Sequence, residues 1–149
     1  MSSHPTSLTP ARMAAALTAD DLRQYGLEPE LDPAEVGIGQ EDEGDNGVYC
    51  GWTRANGAQG GIELDLWAGE DADATFTTCL ANQTGETRSA GLAGADQSVI
   101  GLSVRSGFGP FASITVIRGE LVFSLAIPTG ERARDQLMGL AALVLQRLL

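Results

Sequence analysis

FASITVIR-GE-LVFSLAI, residues 111–127, is the stretch that most narrows what this chain can become. Leu121, Phe123, Leu125 and Ile127 alternate with smaller residues, which is the period of a strand with one covered face. The two residues Gly119 and Glu120 leave room only for a tight turn, and a turn that short joins antiparallel neighbours. SVIGLSVR upstream, with Ile100, Leu102 and Val104 in phase, reads as a third strand, joined to FASITVIR by the SGFGP turn. An earlier pair, VYCGWTR and GIELDLW, reads as a hairpin around the Asn-Gly of ANGAQGG. In its second strand Ile62, Leu64 and Leu66 face one side, and Glu63, Asp65 and Trp67 the other.

Helical segments frame these strands. Thr9 before Pro10 is a capping residue followed by proline at the first helical position. Met13, Ala16 and Leu17 continue one face. Thr18 opens a second turn with Asp20 and Asp21 where the helix dipole favours acids. Gly26 is placed to end it in a left-handed conformation. Residues 10 to 25 are therefore one broken helix or two short ones. EDADATFTTCLANQTG reads as a helix with Ala72, Phe76, Cys79 and Leu80 on one face and Gly85 as its stop. ERARDQLMGLAALVLQRLL is the plainest helix, with Leu137, Leu140, Ala141, Val144 and Leu148 at helical spacing. Leu145 and Leu149 at its end either complete the core or meet a second copy.

Residues 27–46, with Pro29, Pro33, Gly37, Gly39 and the acidic run QEDEGDNG, read as a loop, unusually long for a compact domain. The order is helix, hairpin, helix, three-strand meander, helix. The expected fold is α+β: a single antiparallel sheet of about five strands with helices packed on one face. Residues 1–8 are a flexible tail and residues 9–149 a single domain. A chain of 149 residues suffices for one real core.

Charge removes several functions. Twenty acids face nine bases, all arginine, for a formal net charge of −11. Such a chain repels phosphate backbones, so nucleic acid is not an expected partner. No apolar run is long enough to span a membrane. The N-terminal MSSHPTSLTPARM has neither the basic start nor the apolar core of a signal peptide, so either the chain is cytosolic or an export signal has been removed.

Chemistry is narrowed by subtraction. The single histidine is His4, in the tail, so a Ser-His or Cys-His pair has no base. Without lysine there is no Schiff base and no P-loop grip. Two cysteines without histidine make no familiar zinc site. The run Glu41-Asp42-Glu43-Gly44-Asp45 lacks EF-hand spacing and reads as a solvated loop. No cofactor and no metal are expected. Glu63 and Asp65 stand two apart on a strand, hence on one face, where paired carboxylates can do acid–base work or simply meet water. Trp52 and Trp67 with Arg54 form either a stacking wall for a ligand or cover for the core. Cys50 and Cys79 read equally as a disulfide or as two buried thiols.

The order of motifs adds a resemblance. LTADDLRQYGL, the CxW of YCGW, GLAGADQSVIG, SITVIRGELVFSLAI and a terminal ALVLQRLL resemble the small extracytoplasmic domains of actinobacterial lipoproteins. They are also similar to the extracellular sensor domains of some mycobacterial Ser/Thr kinases. The resemblance covers about Leu17 to Leu149 and implies an antiparallel sheet with helices, and a non-catalytic binding or sensing role at the cell envelope. In that family the CxW cysteine, matching Cys50 here, is disulfide-bonded. Its usual partner position falls in MAAALT, which has no cysteine, so either Cys79 is a substitute partner or the bond is absent. A lipid anchor upstream would go with that setting.

The expected function is thus an extracytoplasmic domain holding a small or lipidic ligand, or a protein partner. Trp52, Arg54, Trp67, Glu63 and Asp65 are its candidate site, and the loop from Gly37 to Gly47 a lid. The alternative is a small cytosolic cyclase- or isomerase-like enzyme with an apolar cavity and one working carboxylate. A third reading is an adaptor that offers the acidic loop to a basic partner.

Overall fold

The computed structural model describes residues 8–27, 35–40, 46–52, 61–81, 83, 86–106 and 109–149. Among them are seven strands and four helices. In chain order these are α1 (Pro10–Ala14), α2 (Ala19–Gln24), β1 (Glu35–Gln40), β2 (Asn46–Trp52), β3 (Ile62–Ala68), α3 (Ala72–Ala81), β4 (Arg88–Ser89), β5 (Gln97–Ser106), β6 (Gly109–Arg118), β7 (Leu121–Pro128) and α4 (Ala133–Leu148). The strands make one open antiparallel sheet in the order β1-β2-β3-β7-β6-β5-β4. The α+β class and the antiparallel sheet are as expected, with more strands than five. Outermost β4 has only two residues.

One added strand lies inside the stretch read as loop and lid. Val36 and Ile38 pair with Cys50 and Val48, so Glu35–Gln40 is an edge strand. Its glycines and neighbouring acids hid a short β-branched alternation. The acidic run itself, residues 41–45, residues 55–60 of the ANGAQGG turn and the expected helix stop at Gly85 lie outside the described residues.

The helices cover both faces, which corrects the one-face expectation. Strand parity gives the reason. Val48, Cys50 and Trp52 of β2, Ile62, Leu64 and Leu66 of β3, Ile114 and Val116 of β6, and Leu121, Phe123, Leu125 and Ile127 of β7 point to one side. There they meet Met13, Leu17 and Leu22 of the N-terminal arm and Leu137, Leu140, Ala141, Val144 and Leu148 of α4. Each fully buried aliphatic side chain contributes about 1.5–3 kcal/mol, so this face carries the stability. The opposite parity carries a second, smaller cluster. Phe76 and Ala72 of α3 pack on Ile117 and Val122, with Trp67, Cys79, Leu80 and Val99 around them. A sheet with apolar residues at both parities needs cover on both sides.

Two details depart from period-two reading. A bulge between Gly101 and Val104 breaks the β5–β6 register, and Leu102 is left 41% exposed instead of joining Ile100 in the core. Leu145 is buried in the core, while Leu149 is exposed.

The N-terminal arm is two short helices, capped as read. The Thr9 hydroxyl accepts from the Arg12 amide, and Thr18 forms a reciprocal capping box with Asp21. Gly26 has φ +80°, which only glycine adopts cheaply. Asp21 also receives both guanidinium nitrogens of Arg147, with Nη2 at 2.9 Å from Oδ1, and Arg147 Nη1 donates to the Ala16 carbonyl at 2.9 Å. Gln136 Nε2 donates to the Tyr25 carbonyl at 2.7 Å. These contacts clamp the arm onto α4.

Candidate functional site

The two faces separate the expected site residues. Trp52 lies in the main core, 2% exposed, with an indole N–H that finds no acceptor among the described residues. Trp67 lies on the opposite face, beside Phe76. The two tryptophans therefore share no wall, and Arg54 lies outside the described residues. Glu63 and Asp65 share the face of Trp67, because all three have the same parity on β3.

Strand parity also decides the cysteines. Cys50 is fully buried in the main core, its Sγ 3.8 Å from the Ala14 carbonyl. Cys79 packs on the other side, against the α3 cluster. Both are free thiols, which corrects the expected disulfide: a sheet stands between them. Burial first, and then the charge of Asp65, pushes each thiol up to about 11, so neither is a nucleophile near neutral pH.

The register assembles something less legible in the sequence. On the α3 face, Tyr49, Asp65, Ser124 and Thr115 stand directly opposite one another across β2, β3, β7 and β6. They form one polar row through an otherwise apolar sheet. The Thr115 and Ser124 hydroxyls are 3.2 Å apart, and Gln83, just past α3, donates from Nε2 to Thr115 Oγ1 at 2.7 Å. The adjacent row is Gly51, Glu63, Ala126, Ser113 and Gly101, mostly small residues. The Tyr49 ring lies down over Gly51, where a Cβ would stand 2.6 Å from its hydroxyl. Glycine there is what lets the ring lie flat on the sheet.

Two polar atoms of this patch are buried without a partner among the described residues: Gln83 Oε1 and Ser113 Oγ. Ser113 is 2% exposed. An orphaned buried polar group costs about 1–3 kcal/mol. Asp65 is strained in another sense. Burial, the charge of Glu63 and a hydrogen bond with Glu63 raise its carboxyl to about 7, so near neutrality it is balanced between acid and carboxylate. Beyond the end of α3 lies an open groove of about 430 Å³, lined in part by Leu80, Thr87, Arg88 and Val99; Leu80 and Val99 also border the Trp67 cluster.

Glu63 and Asp65 were thus legible in advance; Ser113, Thr115, Ser124 and Gln83 were not. In FASITVIR and LVFSLAI they look like the wet positions of a half-covered sheet. The one available signal was that Ser113 and Thr115 recur at a single parity. No group of three or more His, Cys, Asp or Glu among the described residues could hold a metal ion. No helix of the described residues is long and apolar enough to cross a membrane. No protein-family model, curated protein or solved structure matches the chain.

Proposed function

We propose that this chain is a non-catalytic binding or sensing domain that holds a small ligand on the α3 side of its sheet. The orphaned Ser113 Oγ, in the row of Glu63, and Gln83 Oε1, whose amide bonds Thr115 in the row of Asp65, carry the reading. Buried polar groups in native proteins are nearly always satisfied, so a cluster of unsatisfied ones marks a place completed by something else. A raised carboxyl in the same patch points the same way, because such groups concentrate at functional sites.

The extracytoplasmic setting rests on the resemblance in motif order to envelope lipoprotein and kinase sensor domains. Fractionation of the native cells, with a tagged copy of the full gene, tests it: recovery with the cytosol would remove the envelope setting.

The test of the site is a thermal-shift screen of small polar and lipidic compounds on the intact chain, repeated on Ser113→Ala. A hit that raises the melting temperature of the parent, and much less that of the variant, is expected. A screen without hits, or hits indifferent to Ser113, would remove the site.

One observation favours a second reading, the isomerase- or cyclase-like enzyme. A carboxyl balanced near neutral pH suits a general acid–base. The two readings part on what becomes of the hit. A binding domain returns it unchanged, whereas an enzyme converts it and loses turnover in Asp65→Asn.

A further inference from the structure

Resting on the reading of the α3 face as a binding site, we infer that its ligand is a small organic cation bearing ammonium or guanidinium groups. The geometry supplies acceptors at every one of these positions and no positive charge. Gln83 donates one amide N–H to Thr115 and leaves Oε1, which can only accept, without a partner among the described residues. One of the Thr115 and Ser124 hydroxyls donates to the other, and both oxygens can still accept. Ser113 Oγ, 2% exposed and unpartnered among the described residues, stands in the same row as Glu63, across Ala126 of β7. Glu63 and Asp65 complete the set with carboxylate oxygens.

The class follows from what this face lacks. None of the described side chains at this parity on β2, β3, β6 and β7 is an arginine, and the chain contains no lysine. On these four strands an anionic ligand, whether phosphate, sulfate or carboxylate, finds no counter-charge among the described side chains. The net charge of −11 repels it from a distance as well. A neutral polyol would satisfy the orphaned groups but leave the two carboxyls in conflict. A cation does both.

The span sets the size. Glu63 and Ser113 are two strand spacings apart, or about 10 Å. A ligand with donors at both ends of a chain of roughly five carbons reaches from the carboxylates toward Ser113 and Gln83.

Binding then exchanges one cation for another. Protonated Asp65 gives up its proton to solvent, and the ligand's ammonium takes the vacated place beside Glu63 and Asp65. The titratable groups that face Asp65 are Glu63 on its own strand, Tyr49 on β2 and Cys79 on α3. Since the carboxyl is raised to about 7, affinity is expected to rise about tenfold from pH 6 to pH 8.

Three probes of matched length separate the possibilities by calorimetry on the intact chain: 1,5-diaminopentane, 1,5-pentanediol and glutarate. The diamine is expected to bind more tightly at pH 8 than at pH 6, with close to one proton released at pH 6 and almost none at pH 8, and the other two not to bind. Ser113→Ala removes a hydroxyl with no partner among the described residues, so its melting temperature should hold while diamine affinity falls at least about fivefold. Asp65→Asn should lose the pH dependence. Binding of the diol but not the diamine would overturn the cationic class and leave the binding face standing. Diamine binding that is unchanged in both variants and vanishes with salt would be attraction to the acidic surface, and would overturn the inference. Silence from all three probes would also overturn it, while the wider compound screen judges the face itself.

Discussion

Asp65 of β3 and Ser124 of β7 stand directly opposite each other on the α3 face, in a register that continues to Thr115. That pairing puts a carboxyl into a half-buried polar row, and the fold carries a cost for it. The folded-state value, about 7, is raised above that of an unfolded aspartate. Between about pH 4 and pH 7 the native state therefore holds the extra proton, and stability falls as pH rises through that window. Above about pH 7 the loss is complete. Asp65→Asn is expected to be near neutral at pH 4 and to stabilise by about 2–4 kcal/mol at pH 8, read by urea unfolding at both values. Equal effects at the two pH values would remove the account.

The Arg147–Asp21 clamp has the opposite sign. Hydrogen bonds from Arg147 hold the Asp21 carboxyl below its ordinary value, so the stabilisation is present above about pH 4 and lost as pH falls below it. Asp21 is buried, but the Arg147 side chain is 38% exposed. The expected cost of Arg147→Gln therefore lies between that of an exposed and a buried pair, about 2 kcal/mol at pH 7. Hydrogen exchange should show the loss concentrated in α1 and α2, because Arg147 also holds the Ala16 carbonyl. Uniform loss across the sheet would contradict the clamp.

The thiols give a prediction of order. In the folded chain under native conditions, both cysteines should resist alkylation, fully buried Cys50 more than half-buried Cys79. Unfolding without reductant should then release two labels per chain. Intact mass spectrometry before and after reduction reads both numbers. A chain that gains labels only after reduction would contradict the separation of Cys50 and Cys79 by the sheet.

Gly139 of α4 packs under the Tyr25 ring, where a Cβ would stand 2.3 Å from Cε1. Alanine in a helix gains about 1 kcal/mol over glycine, while an overpacked contact costs about 1–3 kcal/mol. Gly139→Ala is expected to lose about 1 kcal/mol net, because the ring must swing away from α4. In a Tyr25→Ala background the same change should turn favourable. Thermal unfolding of the two singles and the double closes the cycle, and additive effects would show that the contact does not matter.

The parity of Leu121 to Ile127, the Thr18–Asp21 capping box and the helical spacing of Leu137 to Leu148 determined the class of fold, the order of most elements and most of the core. These are local devices: each depends on neighbours a few residues away, so a linear sequence displays them. The other decisions belonged to the tertiary structure. Edge strand β1 needed β2 as a partner before Val36 and Ile38 made sense as a strand. Second-face cover by α3 depended on where that helix crossed the sheet, and the crossing is what put Cys79 across the sheet from Cys50. Glu63 and Asp65 were visible as a pair because they are two residues apart on one strand. Ser113, Thr115, Ser124 and Gln83 joined them only through strand register and a helix end, contacts between residues tens of positions apart. Periodicity says which face a residue takes, but only the register says whom it meets there.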